Sequence, residues 1–228
     1  MSSTASTDRQ HDSAAPGPPS EYDMTDLRHV AEHEAAHTVM RYEYGRIVPG
    51  CLQRFRYVTI VQEGDAAGQL AGIESSWMDV EHREEMAFSP IEQQDAGTRR
   101  RVEHEIMVIL AGTVWDEMHG RFDHSAVIQI DGHGIYVGRR EHDLAIAYQM
   151  ASLMKASDET IAAYHDWLSA RARDFLSSPL VSPLVLGLAE ALVDVETMRY
   201  AEAAHVIETH RDRMFAEWTA RFPSDGDA

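Results

Sequence analysis

The stretch from Asp26 to Gly45, DLRHVAEHEAAHTVMRYEYG, carries the clearest structural signal in the chain. No proline or glycine interrupts it before Gly45, and its apolar residues recur at the spacing of one helical face: Leu27, Val30, Ala31, Ala35 and Val39. This pattern predicts a helix that runs from Asp26 to about Tyr44 and is stopped by Gly45.

Within this helix, His33-Glu34-Ala35-Ala36-His37 has the spacing of a metal-binding pair. Residues four apart lie one turn apart on the same face, so the imidazoles of His33 and His37 can converge on one zinc ion. Glu34 follows the first ligand, where its carboxylate can contact a zinc-bound water and accept its proton. The string predicts hydrolysis, most naturally of peptide bonds. The competing interpretation is a solvated helix face in a chain with 13 histidines.

A catalytic zinc normally takes three protein ligands and keeps one position for water, so a third ligand must come from elsewhere. His29 extends the row of His33 and His37, either as a polar stripe or as an accessory ligand. Spacing alone does not choose among the other candidates, which are Glu105, Asp116, Glu117, Glu141, Asp143, His104, His119, His133 and His142. Glu117 is also a candidate acceptor for a ligand imidazole or, alternatively, an exposed glutamate at a helix end.

Composition bounds the class of protein. The 228 residues are 44% hydrophobic, which suits one sizeable core, and we predict a disordered tail at 1–22, a single domain at 23–220 and a flexible tail at 221–228. The 20 basic and 38 acidic residues give a net charge of -18, which disfavours nucleic acid and anionic membranes as partners.

The single cysteine, Cys51, excludes an intramolecular disulfide and a Cys-based zinc site, and fits a cytoplasmic location. The first residues lack the features of a signal peptide.

The rest of the chain predicts more helices and one small sheet. Tyr57–Val61 and Gln69–Ile73 are typical of a hairpin around the turn signal Glu63-Gly64-Asp65. Residues 79–100 predict a loop or short helices, and 121–140 predict a loop with an extended piece at 126–130. Helices are expected at 101–119, at 141–156, after a Ser157 cap, from Ser182-Pro183, and from Thr197. The fold class is therefore mainly α with a small hairpin.

Several segments, taken in order, resemble the peptidase domain of the FtsH-type ATP-dependent zinc metalloproteases. Residues 30–39 resemble the zinc helix of that family, and Tyr57–Val61 with Gly68 resembles the strands that follow it. Residues 109–117, ILAGTVWDE, are similar to its Leu-Gly-Gly-Arg-Ala-Ala-Glu-Glu helix, and residues 187–197 are similar to its closing helix and the Thr that starts the next one. The likeness covers about residues 27–210 and implies a zincin-like helical domain.

The resemblance also implies a third ligand. Glu141-His142-Asp143-Leu144-Ala145-Ile146-Ala147 resembles the family's Asn-Asp-Leu-x-x-Ala segment, whose aspartate completes the zinc site. The implied site is thus His33, His37 and Asp143 on one zinc, with Glu34 as the general base. Without the resemblance, the favoured interpretation of Asp143 is a carboxylate at a helix start, near the positive end of the helix dipole.

The chain departs from the family in ways that affect function. Ala36 stands where the family has Gly, His142 where it has Asn, and the sequence contains no Walker A string. We therefore expect peptides or flexible protein segments to be hydrolysed without ATP, with the hairpin edge as a candidate binding strand. The family's hexameric symmetry is not carried over. The alternatives are a catalytically silent zinc-binding or partner-binding module, closed by a fourth ligand such as His29 or His142, and a hydrolase for small amides.

Overall fold

The computed structural model describes residues 21–48, 51, 54–61, 69–73, 95–121, 129–131, 134–136, 142–152 and 156–221. The predicted class, mainly α with a small hairpin, is confirmed. The helices are α1 (Glu21–Val39), α2 (Ala96–Met118), α3 (His142–Ser152), α4 (Asp158–Leu176), α5 (Ser182–Val195) and α6 (Tyr200–Arg221). The strands are β1 (Phe55–Thr59), β2 (Gln69–Ile73), β3 (Gln129–Asp131), β4 (Gly134–Tyr136) and β5 (Thr197–Arg199). The predicted tails at 1–22 and 221–228 lie mostly outside the described residues, and so does the predicted loop at 79–100.

The first helix continues past its predicted stop. α1 passes into a π-helical turn, Met40–Tyr44, and then into a short helical piece, Gly45–Ile47. Gly45 has φ of -60° and ψ of -31°, which are ordinary helical values, so the predicted stop at this glycine was wrong. The π-helical turn buries four consecutive residues, Met40 to Glu43, and two of them bond to α6: Tyr42 donates to Glu208 at 2.5 Å, and Glu43 accepts from Arg211 at 2.9 Å.

The predicted hairpin is present, although its first strand is Phe55–Thr59 rather than the predicted Tyr57–Val61, and a third strand joins it. β1 pairs antiparallel with β2, with Tyr57 opposite Ala71, and on its other side with β5, with Tyr57 opposite Arg199. The prediction that Thr197 starts the last helix was wrong, because Thr197–Arg199 forms β5 and the helix begins at Tyr200. Glu196 turns the chain with a φ of 62°, and its carbonyl accepts from the Ile60 amide at 2.9 Å.

The remaining helix boundaries follow local capping. α2 begins before the predicted Arg101, because the Asp95 carboxylate caps it by accepting from the amides of Gly97 at 2.8 Å and Thr98 at 3.0 Å. Ser157 caps α4 as predicted, accepting from the Thr160 amide. Within the predicted loop 121–140, β3 and β4 form a small antiparallel hairpin.

Helix α1 lies at the centre of the fold and packs between α2 and α5. The side chains that meet across α1 and α2 show that these two helices run antiparallel: His29, near the start of α1, contacts Asp116 near the end of α2, whereas Arg41 contacts Glu105 closer to the start of α2. Ala35 and Ala36 are fully buried on α1, which allows the neighbouring backbones to approach closely. No helix in the described ranges has both the length and the apolar character needed to cross a membrane.

The buried ion pair between Arg41 and Glu105 gives a test of this packing. The pair is bidentate, at 2.9 and 2.7 Å, and both side chains are about 95% buried, with exposures of 4% and 5%. Glu105→Ala removes the carboxylate that the buried guanidinium faces, so the free energy of unfolding should fall by about 3–5 kcal/mol. Urea denaturation followed by circular dichroism measures the change.

Glu117→Ala is the matched control, because Glu117 lies on the same helix as Glu105 but forms a partly exposed pair with Arg173 of α4. Its expected cost is below about 1 kcal/mol. Equal costs for the two variants would contradict the energetic role assigned to the buried pair.

Candidate metal centre

Three ligand atoms from two separate helices converge at one point. His33 Nε2 lies 3.1 Å from His37 Nε2, and Asp143 Oδ2 lies 3.1 Å from His33 Nε2 and 3.3 Å from His37 Nε2. The two histidines come from adjacent turns of α1, and Asp143 comes from the first turn of α3. The group could hold a metal ion.

The spacing of these atoms matches a known coordination geometry. A tetrahedral zinc with bonds of about 2.0–2.1 Å to nitrogen or oxygen separates neighbouring ligand atoms by about 3.3 Å. The three separations of 3.1, 3.1 and 3.3 Å are close to this value, so the three atoms are spaced as ligands of one metal ion would be. The side chains of His33 and Asp143 are 22% and 27% exposed, so solvent can reach the group.

The outer nitrogens of both imidazoles determine which atoms face the ion. His33 Nδ1 lies 2.8 Å from Asp116 Oδ2, and His37 Nδ1 lies 2.6 Å from the Val108 carbonyl oxygen. A carboxylate and a carbonyl can only accept, so each Nδ1 carries the proton and donates it. In the neutral imidazoles both Nε2 atoms are then unprotonated, and their lone pairs face each other and Asp143. Three acceptors this close require a cation or additional protons between them.

Gly112 on α2 provides the room for this convergence. A Cβ at this position would lie 2.4 Å from His33 Nε2 and 2.5 Å from His37 Nε2. Any larger residue would therefore occupy the space beside the two nitrogens. The space, the unshared lone pairs and the two-nitrogen, one-oxygen ligand set all fit a bound metal ion.

Electrostatics in the metal-free site favour protonated imidazoles. Burial opposes the charge on His33, but hydrogen bonds to Asp116 and Asp143 outweigh it and raise the pKa to about 10. The pKa of His37 is also raised, because the charge and hydrogen bond of Asp143 outweigh burial. Burial likewise opposes ionisation of Asp143, but the two imidazoles lower its pKa. When no metal is bound, these shifts favour protons at the position that a cation would occupy.

Glu34 lies beside the ligands on α1 and is 6% exposed. Burial raises the pKa of its carboxyl, while the neighbouring His37 and His33 oppose that rise. A carboxylate with a raised pKa is a better proton acceptor than one in water, which suits Glu34 to move a proton at this site.

The other sequence candidates lie elsewhere. Glu105 pairs with Arg41, Glu117 pairs with Arg173, and His119 Nδ1 lies 2.8 Å from the Trp115 carbonyl oxygen. His104 is buried and stacks on Tyr44, and burial lowers its pKa to about 4. His29 Nε2 lies 3.0 Å from Asp116 Oδ1 and is not among the three ligands. Glu141, His133 and the side chain of His142 lie outside the described part of the structure.

Two contacts of the ligand imidazoles were not predicted from the sequence. Asp116, considered only as a possible third ligand, is the acceptor that holds His33, a role considered for its neighbour Glu117. Val108 contributes its backbone carbonyl, which no side-chain pattern could indicate. Asp116 lies four residues after Gly112, so both residues lie on the face of α2 that meets the histidines. This spacing is the sequence signal that could have indicated the role of Asp116. In comparisons with known proteins, no family model and no curated protein matches this chain.

Replacing the glycine beside the ligands tests the site directly. Gly112→Ala should abolish tight metal binding, because the added methyl group would lie 2.4 Å from His33 Nε2. Metal content after dialysis, measured by inductively coupled plasma mass spectrometry, should fall from about one ion per chain to near zero. Gly187→Ala is the matched control: its Cβ would lie 2.5 Å from the His210 ring, away from the site. Retention of metal by Gly112→Ala would contradict the geometry.

The raised pKa of His33 predicts how the metal-free protein responds to pH. A group whose folded pKa exceeds its unfolded value stabilises the fold below the unfolded value, and that stability is lost as pH rises through the folded pKa. In chelator, the free energy of unfolding should therefore decline between pH 6.5 and about pH 10. Denaturant titrations across this window measure the decline, which should be smaller in His33→Gln. Identical pH profiles for the two proteins would contradict the assignment.

Proposed function

We propose that the protein is a zinc-dependent metalloendopeptidase that hydrolyses peptide bonds in peptides or flexible protein segments without ATP. The observation that carries this proposal is the convergence of His33, His37 and Asp143 beside the buried carboxylate of Glu34. The three ligands would hold the ion and Glu34 would accept and release the proton, which is the division of roles that hydrolysis requires.

The ligand set together with the adjacent Glu34 favours zinc, because two histidines four residues apart on a helix, with a glutamate after the first, are typical of zinc hydrolases. Two imidazole nitrogens and one carboxylate oxygen at tetrahedral spacing, partly open to solvent, are typical of a catalytic zinc site. When bound, the ion would supply Lewis-acid activation of water and of the substrate carbonyl. A closed structural site needs a fourth protein ligand, and the described side chains contribute three. Glu34, which is not among these ligands, is the feature that favours the hydrolase over the catalytically silent module.

The protein's own groups prepare the reaction. The Nδ1 protons of His33 and His37 are held by Asp116 and by the Val108 carbonyl, which keeps both Nε2 atoms available as donors to the ion. Glu34 accepts a proton on a carboxylate oxygen from the attacking water and returns it to the departing amine nitrogen. Burial raises the pKa of Glu34, so its carboxylate accepts a proton more readily than an exposed one, and the protonated form can still release it.

The sheet beside α1 is the proposed binding surface for an extended substrate. β1 and β2 pack against α1, and β2 is at one end of the three-stranded order β2-β1-β5 in the described structure. An extended peptide can add to such an edge through main-chain hydrogen bonds. With no Walker A string in the sequence, folded substrates are not pulled to the site by this chain, so accessible segments are the proposed substrates. The proposed activity agrees with the sequence resemblance to the FtsH-type peptidase domain.

The role of Glu34 is tested by Glu34→Gln, which retains shape but cannot accept the proton. The variant should keep about one zinc per chain, because Glu34 is not a ligand. Cleavage of a mixed peptide library, followed by mass spectrometry, should slow by about 10²–10⁴-fold. The control is Glu190→Gln, an exposed glutamate on α5, which should cleave at the wild-type rate.

The opposite pattern is expected for Asp143→Ala, which should lose zinc and hydrolysis together. If Glu34→Gln binds zinc and cleaves the library as fast as wild type, the proposed chemistry is wrong. Full zinc occupancy in Asp143→Ala would exclude Asp143 as the third ligand.

A further inference from the structure

The carboxylate of Asp116 is shared by two histidines of the same helix. Its Oδ2 accepts from the ligand His33 at 2.8 Å, and its Oδ1 lies 3.0 Å from Nε2 of His29. His29 and His33 are four residues apart and thus lie on one face of α1. One aspartate on α2 therefore bridges two successive turns of the helix that carries the metal ligands.

Two contacts fix a carboxylate more firmly than one. With only His33 as a partner, the Asp116 carboxylate could rotate about its Cβ–Cγ bond and offer either oxygen. The contact to His29 holds Oδ1 and so directs Oδ2 toward His33 Nδ1. The nearby Arg121 does not take over this role, because its guanidinium donates to Glu32 at 2.6 Å.

We propose that His29 is a positioning residue that orients the metal ligand His33 through Asp116 and thereby strengthens metal binding. The proposal rests on the metal site of the proposed function. It gives His29 a role that differs from the accessory ligand considered from sequence, because the imidazole faces Asp116 rather than the converged nitrogens. The side chain of His29 is 31% exposed, so it lies at the rim of the site.

The effect should appear in metal affinity. Loss of a group that orients a metal ligand typically weakens binding by about 10–100-fold, which is the expected result for Asp116→Ala. His29→Ala acts one contact further out and should weaken zinc binding by roughly 3–10-fold. Competition with a chromophoric chelator measures both affinities, and the visible absorption bands of the Co²⁺-loaded protein report the altered ligand geometry.

A double-mutant cycle separates positioning from a general structural effect. If His29 acts through Asp116, then His29→Ala should have no further effect on zinc affinity in the Asp116→Ala background. His29→Gln should restore part of the affinity, because its amide can donate to Asp116 Oδ1. His205→Ala, an exposed histidine on α6, is the control and should bind zinc like wild type.

The outcomes distinguish this inference from the function on which it rests. If wild type binds zinc and His29→Ala has unchanged affinity and Co²⁺ absorption, the inference is overturned while the proposed metal site stands. Independent effects of His29→Ala and Asp116→Ala would also overturn it. If wild type binds neither zinc nor Co²⁺, both the inference and the proposed function fail.

Discussion

The close antiparallel packing of α1 against α2 is the constraint on which the site depends. Ala35 and Ala36 are fully buried on α1, and the missing side chain of Gly112 leaves room for two imidazoles between the helices. Because the helices run antiparallel, polar groups can pair in successive layers along the contact. His29 and His33 meet Asp116 at one end, and Arg41 meets Glu105 at the other.

This polar contact would be costly in a protein interior if its groups were unpaired. Arg41 and Glu105 satisfy each other with two hydrogen bonds, and the outer nitrogens of His33 and His37 each have an acceptor. The inner nitrogens are the exception, because in neutral imidazoles they and Asp143 form a group of three acceptors that needs a cation or additional protons between them. The three inner atoms of the site thus meet at a point where a cation fits, whereas the ion pair and the two outer nitrogens already have partners. This difference separates the site from an ordinary buried ion-pair network.

The sequence predicted those features that depend on local spacing. A helical period locates α1, four-residue spacing pairs His33 with His37, and β-branched residues locate β1. The third ligand needed more, because Asp143 lies on another helix and its distance from His33 is set by tertiary packing. β5 was missed because three residues carry too little pattern, and Glu196 adopts a positive φ that its residue type does not signal. The predicted helix end at Gly45 was wrong because glycine also tolerates a helical backbone. Burial of the preceding turn outweighs the low helix propensity of glycine.

The residues of the site differ in solvent exposure, so the site has one accessible side and one buried side. His33 and Asp143 are partly exposed, whereas the side chain of His37 is 9% exposed and Glu34 is 6% exposed. Under the proposed function, a substrate that enters from solvent would meet the side formed by His33 and Asp143, with His37 and Glu34 behind it. Burial of Glu34 strengthens its electrostatic interactions, because the surrounding protein screens them less than water does. The same burial makes Glu34 costly to ionise without positive charge nearby, so a cation held by the three ligands would stabilise both the fold and its base.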